Sequence, residues 1–186
     1  MPQGNIFVIS AASGAGKSSL VKQICKLDPK IKVSISHTTR DKRHNEINNH
    51  DYYFVSIDEF KKMLQNNEFI EYAKVYDNYY GTNKNSLEHL INNSYDVILE
   101  IDWQGAIQIK NAIPKAILIY IMPPSIEELK KRLILRGTDS NEVIEKRILK
   151  AEEDISYANK FKHIIYNEDF NKSLDELYSI ILLYRQ

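Results

Sequence analysis

Four residues near the N-terminus, Gly14, Gly16, Lys17 and Ser18, have the types and spacing of a phosphate-binding loop of the form G-x-x-x-x-G-K-[ST]. Such a loop binds anions because a wide turn points successive backbone N–H groups inward, and the following helix N-terminus adds its partial positive charge. Lys17 would then reach the outer phosphates, and Ser18 would offer a hydroxyl ligand to Mg2+. One position departs from the motif. Ala11 stands where the first glycine would be, which costs stability only if the turn needs a positive φ there. The context fits: Asn5 to Ser10 is an apolar, strand-like run, and Leu20, Val21 and Ile24 continue at helical spacing. A Gly/Ser turn with a solvated lysine is the alternative.

Two further groups could do chemistry. Asp96 to Asp102 reads as a buried strand ending in Glu100 and Asp102, where a phosphate-loop protein places an acid near its metal. On an alternating strand both carboxylates would face one side; the alternative is two acids at a solvated strand end. Arg40 and Arg43 flank a polar loop, and arginine forks match phosphate oxygens in pairs. With Tyr52 and Tyr80 as hydroxyl donors they outline a second anion site, against the alternative of two solvated arginines. None of His37, His44, His50, His89 and His163 sits in a nucleophile or H-E-x-x-H arrangement, so they read as structural or surface groups.

The elements that must position these residues alternate along the chain. After a first helix ending near Leu27 to Pro29, Lys32 to Ser36 reads as a short strand. Residues 37–83 then read as a separate α+β unit: strand-like Asp51 to Val55, a capping box from Ser56 to Glu59 opening a short helix, and an alternating Phe69 to Tyr76 with a turn at Asp77 and Asn78. Lys115 to Ile121 is another buried strand, Ser125 to Glu128 a second capping box, Glu142 to Ala158 helical, and His163 to Tyr166 a last strand. Leu174, Leu177, Tyr178, Ile181 and Leu182 mark a final helix packed on the core. This is the pattern of an α/β protein with a doubly wound parallel sheet, whose site lies at the strand C-terminal ends.

Bulk properties narrow the classes. The 186 residues suffice for one large domain or a core with an inserted lobe. The 25 basic and 25 acidic side chains cancel, which argues against wholesale nucleic-acid binding. Cys25 is the single cysteine, so no internal disulfide or zinc cluster is expected. No run approaches the ~20 apolar residues of a membrane span, no signal-peptide pattern opens the chain, and a cytoplasmic location is the default expectation.

The ordered set Ser13 to Ser19, Ser36-His-Thr-Thr-Arg40, Asp51-Tyr-Tyr-Phe, Glu68-Phe-Ile-Glu71, Asn78-Tyr-Tyr-Gly-Thr82, Ile101-Asp-Trp-Gln-Gly105, Pro123-Pro-Ser125 and Arg132 to Gly137 resembles guanylate kinase, over essentially the whole chain. The resemblance implies a P-loop core of residues 1–36 and 84–186, a lid at about 126–150 within it, and an inserted nucleotide monophosphate lobe at 37–83. It implies transfer of the ATP γ-phosphoryl group to GMP or dGMP with Mg2+, and leaves a homodimer open. ATP would lie against Ser13, Gly14, Ala15, Gly16, Lys17, Ser18 and Ser19, with Asn167 near adenine and Ser18 on the metal. Guanine would meet Ser36, Glu71 and Thr82, and the GMP phosphate Arg40, Arg43, Tyr52 and Tyr80, with Glu100 and Asp102 also on the GMP side. Lys17, Arg40, Arg132, Arg136 and Arg147 would carry catalysis. The loop departs from the family at Lys42 and Asn45, where proline and glycine are frequent, and at Glu100, where aspartate is frequent. A non-catalytic phosphopeptide-binding module of the same fold is the rival, and another small-molecule kinase a second.

Overall fold

Strands that are apolar at every position have no face to show to water, so they must lie inside a sheet covered on both sides. In the computed structural model, which describes residues 4–135 and 141–185, β1 (Ile6–Ala11), apolar but for the buried Ser10, does so. It is followed by α1 (Lys17–Leu27), β2 (Ile31–Val33), β3 (His37–Thr38), β4 (Tyr53–Phe54), α2 (Ile57–Gln65), β5 (Phe69–Val75), β6 (Asn78–Asn83) and α3 (Lys84–Asn92). Then come β7 (Asp96–Glu100), α4 (Trp103–Ala112), β8 (Ile117–Met122), α5 (Ile126–Leu135), α6 (Asn141–Ser156), a short 3-10 turn at Ala158–Lys160, β9 (His163–Tyr166) and α7 (Phe170–Leu183).

The main sheet is parallel, in the order β2-β7-β1-β8-β9. Alternate side chains feed two cores. Phe7, Ile9, Ile98, Ile119 and Ile121 pack under Leu20 and Ile24 of α1 and Leu177 and Ile181 of α7. Val8, Leu99, Leu118 and Tyr120 pack on the other side with Leu87, Ala106 and Ile109 of α3 and α4. The sequence pattern does not single out α3 or α4. Leu182, expected in the buried stripe of the last helix, is 42% exposed, because α7 turns that side to solvent.

The second sheet, β4-β3-β6-β5, is built within residues 37–83. The expected strand from Lys32 to Ser36 divides: β2 ends at Val33, and Ser34 to Ser36 lead into β3 of the other sheet. The box at Ser56 forms as expected, with Glu59 N–H donating to the serine and the Glu59 carboxylate accepting from Ser56 N–H at 2.8 Å. At Ser125 the hydroxyl accepts from Glu128 N–H at 3.1 Å, while the Glu128 carboxylate meets Arg132. One amide ties the two sheets together: Gln108 of α4 donates to the Tyr72 carbonyl at 2.8 Å and accepts from its N–H at 3.2 Å, mimicking a neighbouring strand.

The chain ends are held by charge. Arg185 bonds Asp28 and Asp96, whose side chains are only 9% and 7% exposed. Removing the cation would strand two carboxylates out of water. Arg185→Met should therefore lower stability by about 3 kcal/mol, read by urea denaturation at neutral pH; a loss below ~1 kcal/mol would show the pair to be a surface contact.

Candidate active site

The loop after β1 is shaped by two glycines in the left-handed region, Gly14 at φ 93° and Gly16 at φ 98°. Ala11 stays in the strand, paired with Ile121 and outside the positive-φ residues, so the missing glycine carries no strain. Gly16 is needed twice over, since a Cβ there would stand 2.3 Å from Asn167 Nδ2. That buried amide donates to the Ala15 carbonyl at 2.7 Å and supports the loop from behind. Ahead of the loop, Glu100 accepts a hydrogen bond from the Ser18 hydroxyl and lies 3.5 Å from Lys17 Nζ.

The strand alternation expected to set Glu100 and Asp102 on one side does not extend to Asp102. The strand β7 stops at Glu100, and Asp102 turns to cap α4, accepting from Gly105 N–H at 2.9 Å and from the Gln104 amide at 2.9 Å. A cap satisfies one of the helix's orphan N–H groups, which outweighs continued strand alternation. Glu100 thus serves the phosphate loop and Asp102 the wall beside Glu71.

The arginine pair is organised by a carboxylate that the sequence reading did not select. Glu46 bonds Arg40 Nη2 at 2.7 Å and the Arg43 backbone N–H at 2.8 Å, and lies 3.7 Å from Arg43 Nη1. Burial alone would raise the Glu46 carboxyl; its bonds from Arg40 and Arg43 hold it below the ordinary range. The signal was an acid three residues after Arg43, in a loop whose arginines need a counter-charge. Arg40 also lies over the rings of Tyr52 and Phe54, at 5.6 and 5.7 Å. Burial pushes the Tyr52 phenol up, so it remains a proton donor.

Glu71, on β5, is only 3% exposed. Thr82, opposite it on β6, donates to Oε1 at 2.6 Å, and a Cβ on Gly105 would stand 2.4 Å from Oε2. Burial pushes the Glu71 carboxyl up to about 7, the Thr82 hydrogen bond opposes this, and the Asp102 charge adds to the rise.

These groups face one cleft of about 890 Å³. It is lined by Ser13, Gly14, Gly16, Lys17, Ser18, Ser19, Ser36, Arg40, Arg43, Tyr52, Glu71, Tyr80, Glu100, Asp102, Arg132 and Arg147. Ala15, Thr82 and Asn167 are buried behind its wall, and Arg136 lies outside the described residues. Lys146, Lys150 and Asp154 line it too, unselected from the sequence although the last two follow Arg147 by three and seven residues on α6. Burial pushes the Asp154 carboxyl up to about 6, against the attraction of Lys150. Among the described residues no cluster of three or more metal-binding side chains occurs.

The raised Glu71 carboxyl has a consequence for stability. The folded chain keeps a proton that the unfolded chain releases at its ordinary value of 4.5, so stability declines as pH rises from there through about 7. Glu71→Gln stays neutral. Its melting temperature relative to the parent should therefore climb by several degrees between pH 5 and pH 8; a pH-independent difference would contradict the burial argument.

Residues 3–184 match the family model described as guanylate kinase. The guanylate kinase of Hydrogenovibrio crunogenus is 49% identical over 183 residues, 98% of this chain and 89% of its own. That of Rickettsia bellii is 45% identical over 184 residues, 99% of this chain and 96% of its own. A crystal structure of guanylate kinase from Anaplasma phagocytophilum aligns with a TM-score of 0.83 at 31% identity, covering 99% of this chain and 87% of that one. A shikimate kinase from Bacteroides thetaiotaomicron, at a TM-score of 0.51 and 14% identity over 96% of this chain and 98% of its own, shares the fold alone. With the family model spanning nearly its whole length and relatives at this identity matching it end to end, the chain belongs to the guanylate kinase family.

Proposed function

We infer that this chain is an ATP:GMP phosphotransferase, moving the γ-phosphoryl group of ATP to GMP, and dGMP, to give ADP and GDP or dGDP. The observation that carries the reading is a single cleft in which a phosphate loop, a second arginine site and a buried carboxylate face one another. The carboxylate accounts for the base. Guanine offers N1–H and the exocyclic amine, two donors that Glu71 can accept together, whereas adenine turns an acceptor N1 to the same place. Ser36 or Thr82 can donate to O6.

The loop amides and Lys17 hold the ATP phosphates, with Asn167 acting through the loop it supports. Residues 37–83 form the GMP-binding lobe, in which Arg40, Arg43, Tyr52 and Tyr80 fix the acceptor phosphate. Residues 126–150 form the lid, bringing Arg132, Arg136 and Arg147 to the negative charge that spreads over the equatorial oxygens in the transition state. The acceptor phosphate has its second pKa near ~6, so it attacks as a dianion and no general base is demanded. Mg2+ fits a donor set of hard oxygens: the Ser18 hydroxyl beside the Glu100 carboxylate, completed by phosphate oxygens and water. Held by Ser18, such an ion would supply charge neutralisation to the ATP phosphates. Closure of the lobe and lid would exclude water, so that ATP is not hydrolysed.

No helix among the described residues is long and apolar enough to cross a membrane. A cytoplasmic location, without nucleic-acid or membrane partners, belongs to the same proposal. An intact Lys17 and Ser18, poised at the mouth of the cleft, favour catalysis over a phosphopeptide-binding module.

With ATP and Mg2+, a panel of GMP, dGMP, AMP, CMP and UMP should show phosphorylation of the guanine nucleotides at a kcat/KM at least ~10^4 above the others, as expected where a wrong base leaves buried polar groups unpaired. Turnover of AMP or CMP within ~10-fold of GMP would refute the guanine assignment, and no GDP at all would restore the binding-module reading.

A further inference from the structure

Trp103 is the sole tryptophan of the chain and the first residue of α4, directly after the Asp102 cap. Its indole lies face to face with the ring of Tyr157, the centroids 3.5 Å apart and the planes within 6°. Lys150 sets its ammonium 5.9 Å from the indole centroid and ion-pairs with Glu153 at 2.8 Å and Asp154 at 3.7 Å. Tyr157 directly follows the last residue of α6, and Lys150 lies on that helix, three residues from Arg147 and so on the same face. Farther along, α6 rests on α5 through Ile144 and Ala151 against Leu129 and Leu133.

The same end of α4 shapes the base pocket. Gly105 lies against Glu71, and Gln108 holds the backbone of Tyr72. Trp103 therefore sits where the base wall and the lid helix meet. Its rear is packed at the margin of the core cluster that contains Ile101 and Ala106, so the indole is a fixed platform rather than a mobile plug.

We propose that Trp103 is a positioning residue for phosphoryl transfer: by stacking on Tyr157 it fixes the foot of α6 and thereby the point at which Arg147 enters the cleft. This rests on the reading of Arg147 as a lid arginine. Arg147 lies ten residues up the helix from Tyr157, about 15 Å at the α-helical rise. A tilt of about 4° at the foot thus displaces it by about 1 Å, and a displacement of that size can cost up to ~10^2 in rate. The stack lies away from the phosphate loop, so ATP binding does not depend on it, whereas the base wall of the GMP site shares the start of α4.

The test is steady-state kinetics on Trp103→Leu, Trp103→Phe, Tyr157→Leu, Arg147→Ala and the double variant Trp103→Leu with Arg147→Ala. Trp103→Leu and Tyr157→Leu should each lower kcat about tenfold or more, with KM for ATP within about threefold, a split that general destabilisation does not produce. Trp103→Phe, which keeps an aromatic face, should recover most of the loss. In the Arg147→Ala background Trp103→Leu should cause no further fall in kcat, because the arginine it positions is gone. An unchanged kcat in Arg147→Ala would remove the lid-arginine reading and this proposal with it. A fall in Arg147→Ala beside unchanged kcat in Trp103→Leu and Tyr157→Leu, or an undiminished effect of Trp103→Leu in the double variant, would overturn the proposal alone. Should Trp103→Leu fail to fold, Tyr157→Leu removes the same stack from the lid side and decides the matter.

Discussion

Taking a carboxylate out of water is unfavourable by several kcal/mol unless its lone pairs are met, and Glu71 is buried with the Thr82 hydroxyl on one oxygen and the Gly105 backbone against the other. The neighbouring Asp102 charge makes ionisation harder still. Much of the molecule is arranged to keep that group where it is. Gln108 fastens β5 to α4, Gly105 has no side chain where one would strike the carboxylate, and Asp102 caps α4 so that the helix begins at the pocket. A glutamine or an apolar residue would sit there more comfortably, but neither could accept two donors from one planar edge. On the proposed function, stability is given up at this point in exchange for discrimination of the base.

The two phosphate sites face the opposite electrostatic problem, since clustered cations repel until an anion arrives. Each site has a carboxylate of its own. Glu100 stands at Lys17 and Ser18, and Glu46 lies between Arg40 and Arg43. These acids hold the donors in place before phosphate binds, which reduces the ordering that binding must supply. Two local positive fields on a chain of zero net charge are what the proposed binding of two phosphate-bearing nucleotides needs.

Much of this was legible in the sequence where local rules govern. The phosphate loop is a backbone geometry that Gly14 and Gly16 alone permit, the apolar strands cannot be exposed, and the Ser56 box forms as its spacing implies. What was not legible depends on contacts distant in sequence. Trp103 and Tyr157 are separated by a whole strand and two helices, and Glu71 is singled out only by the family resemblance, because the contacts with Gly105 and Thr82 that bury it lie distant in sequence. The strand expected to run to Asp102 ends two residues earlier, where helix capping takes over, and both Glu100 and Asp102 line the cleft. Leu182 shows the reverse, a residue on the right period that the helix turns to solvent near its end.

On the proposed function, guanine meets a Glu71 carboxyl that burial has raised to about 7, so binding must drive it to ionise. Calorimetric titration of GMP at pH 7, repeated in buffers of different ionisation enthalpy, reads the protons exchanged. With a Glu71 carboxyl near 7, the account expects release of about half a proton per GMP bound. In Glu71→Gln only the contribution of about a tenth from the phosphate, whose second pKa is ~6, should remain. Equal proton release by the parent and Glu71→Gln would contradict it.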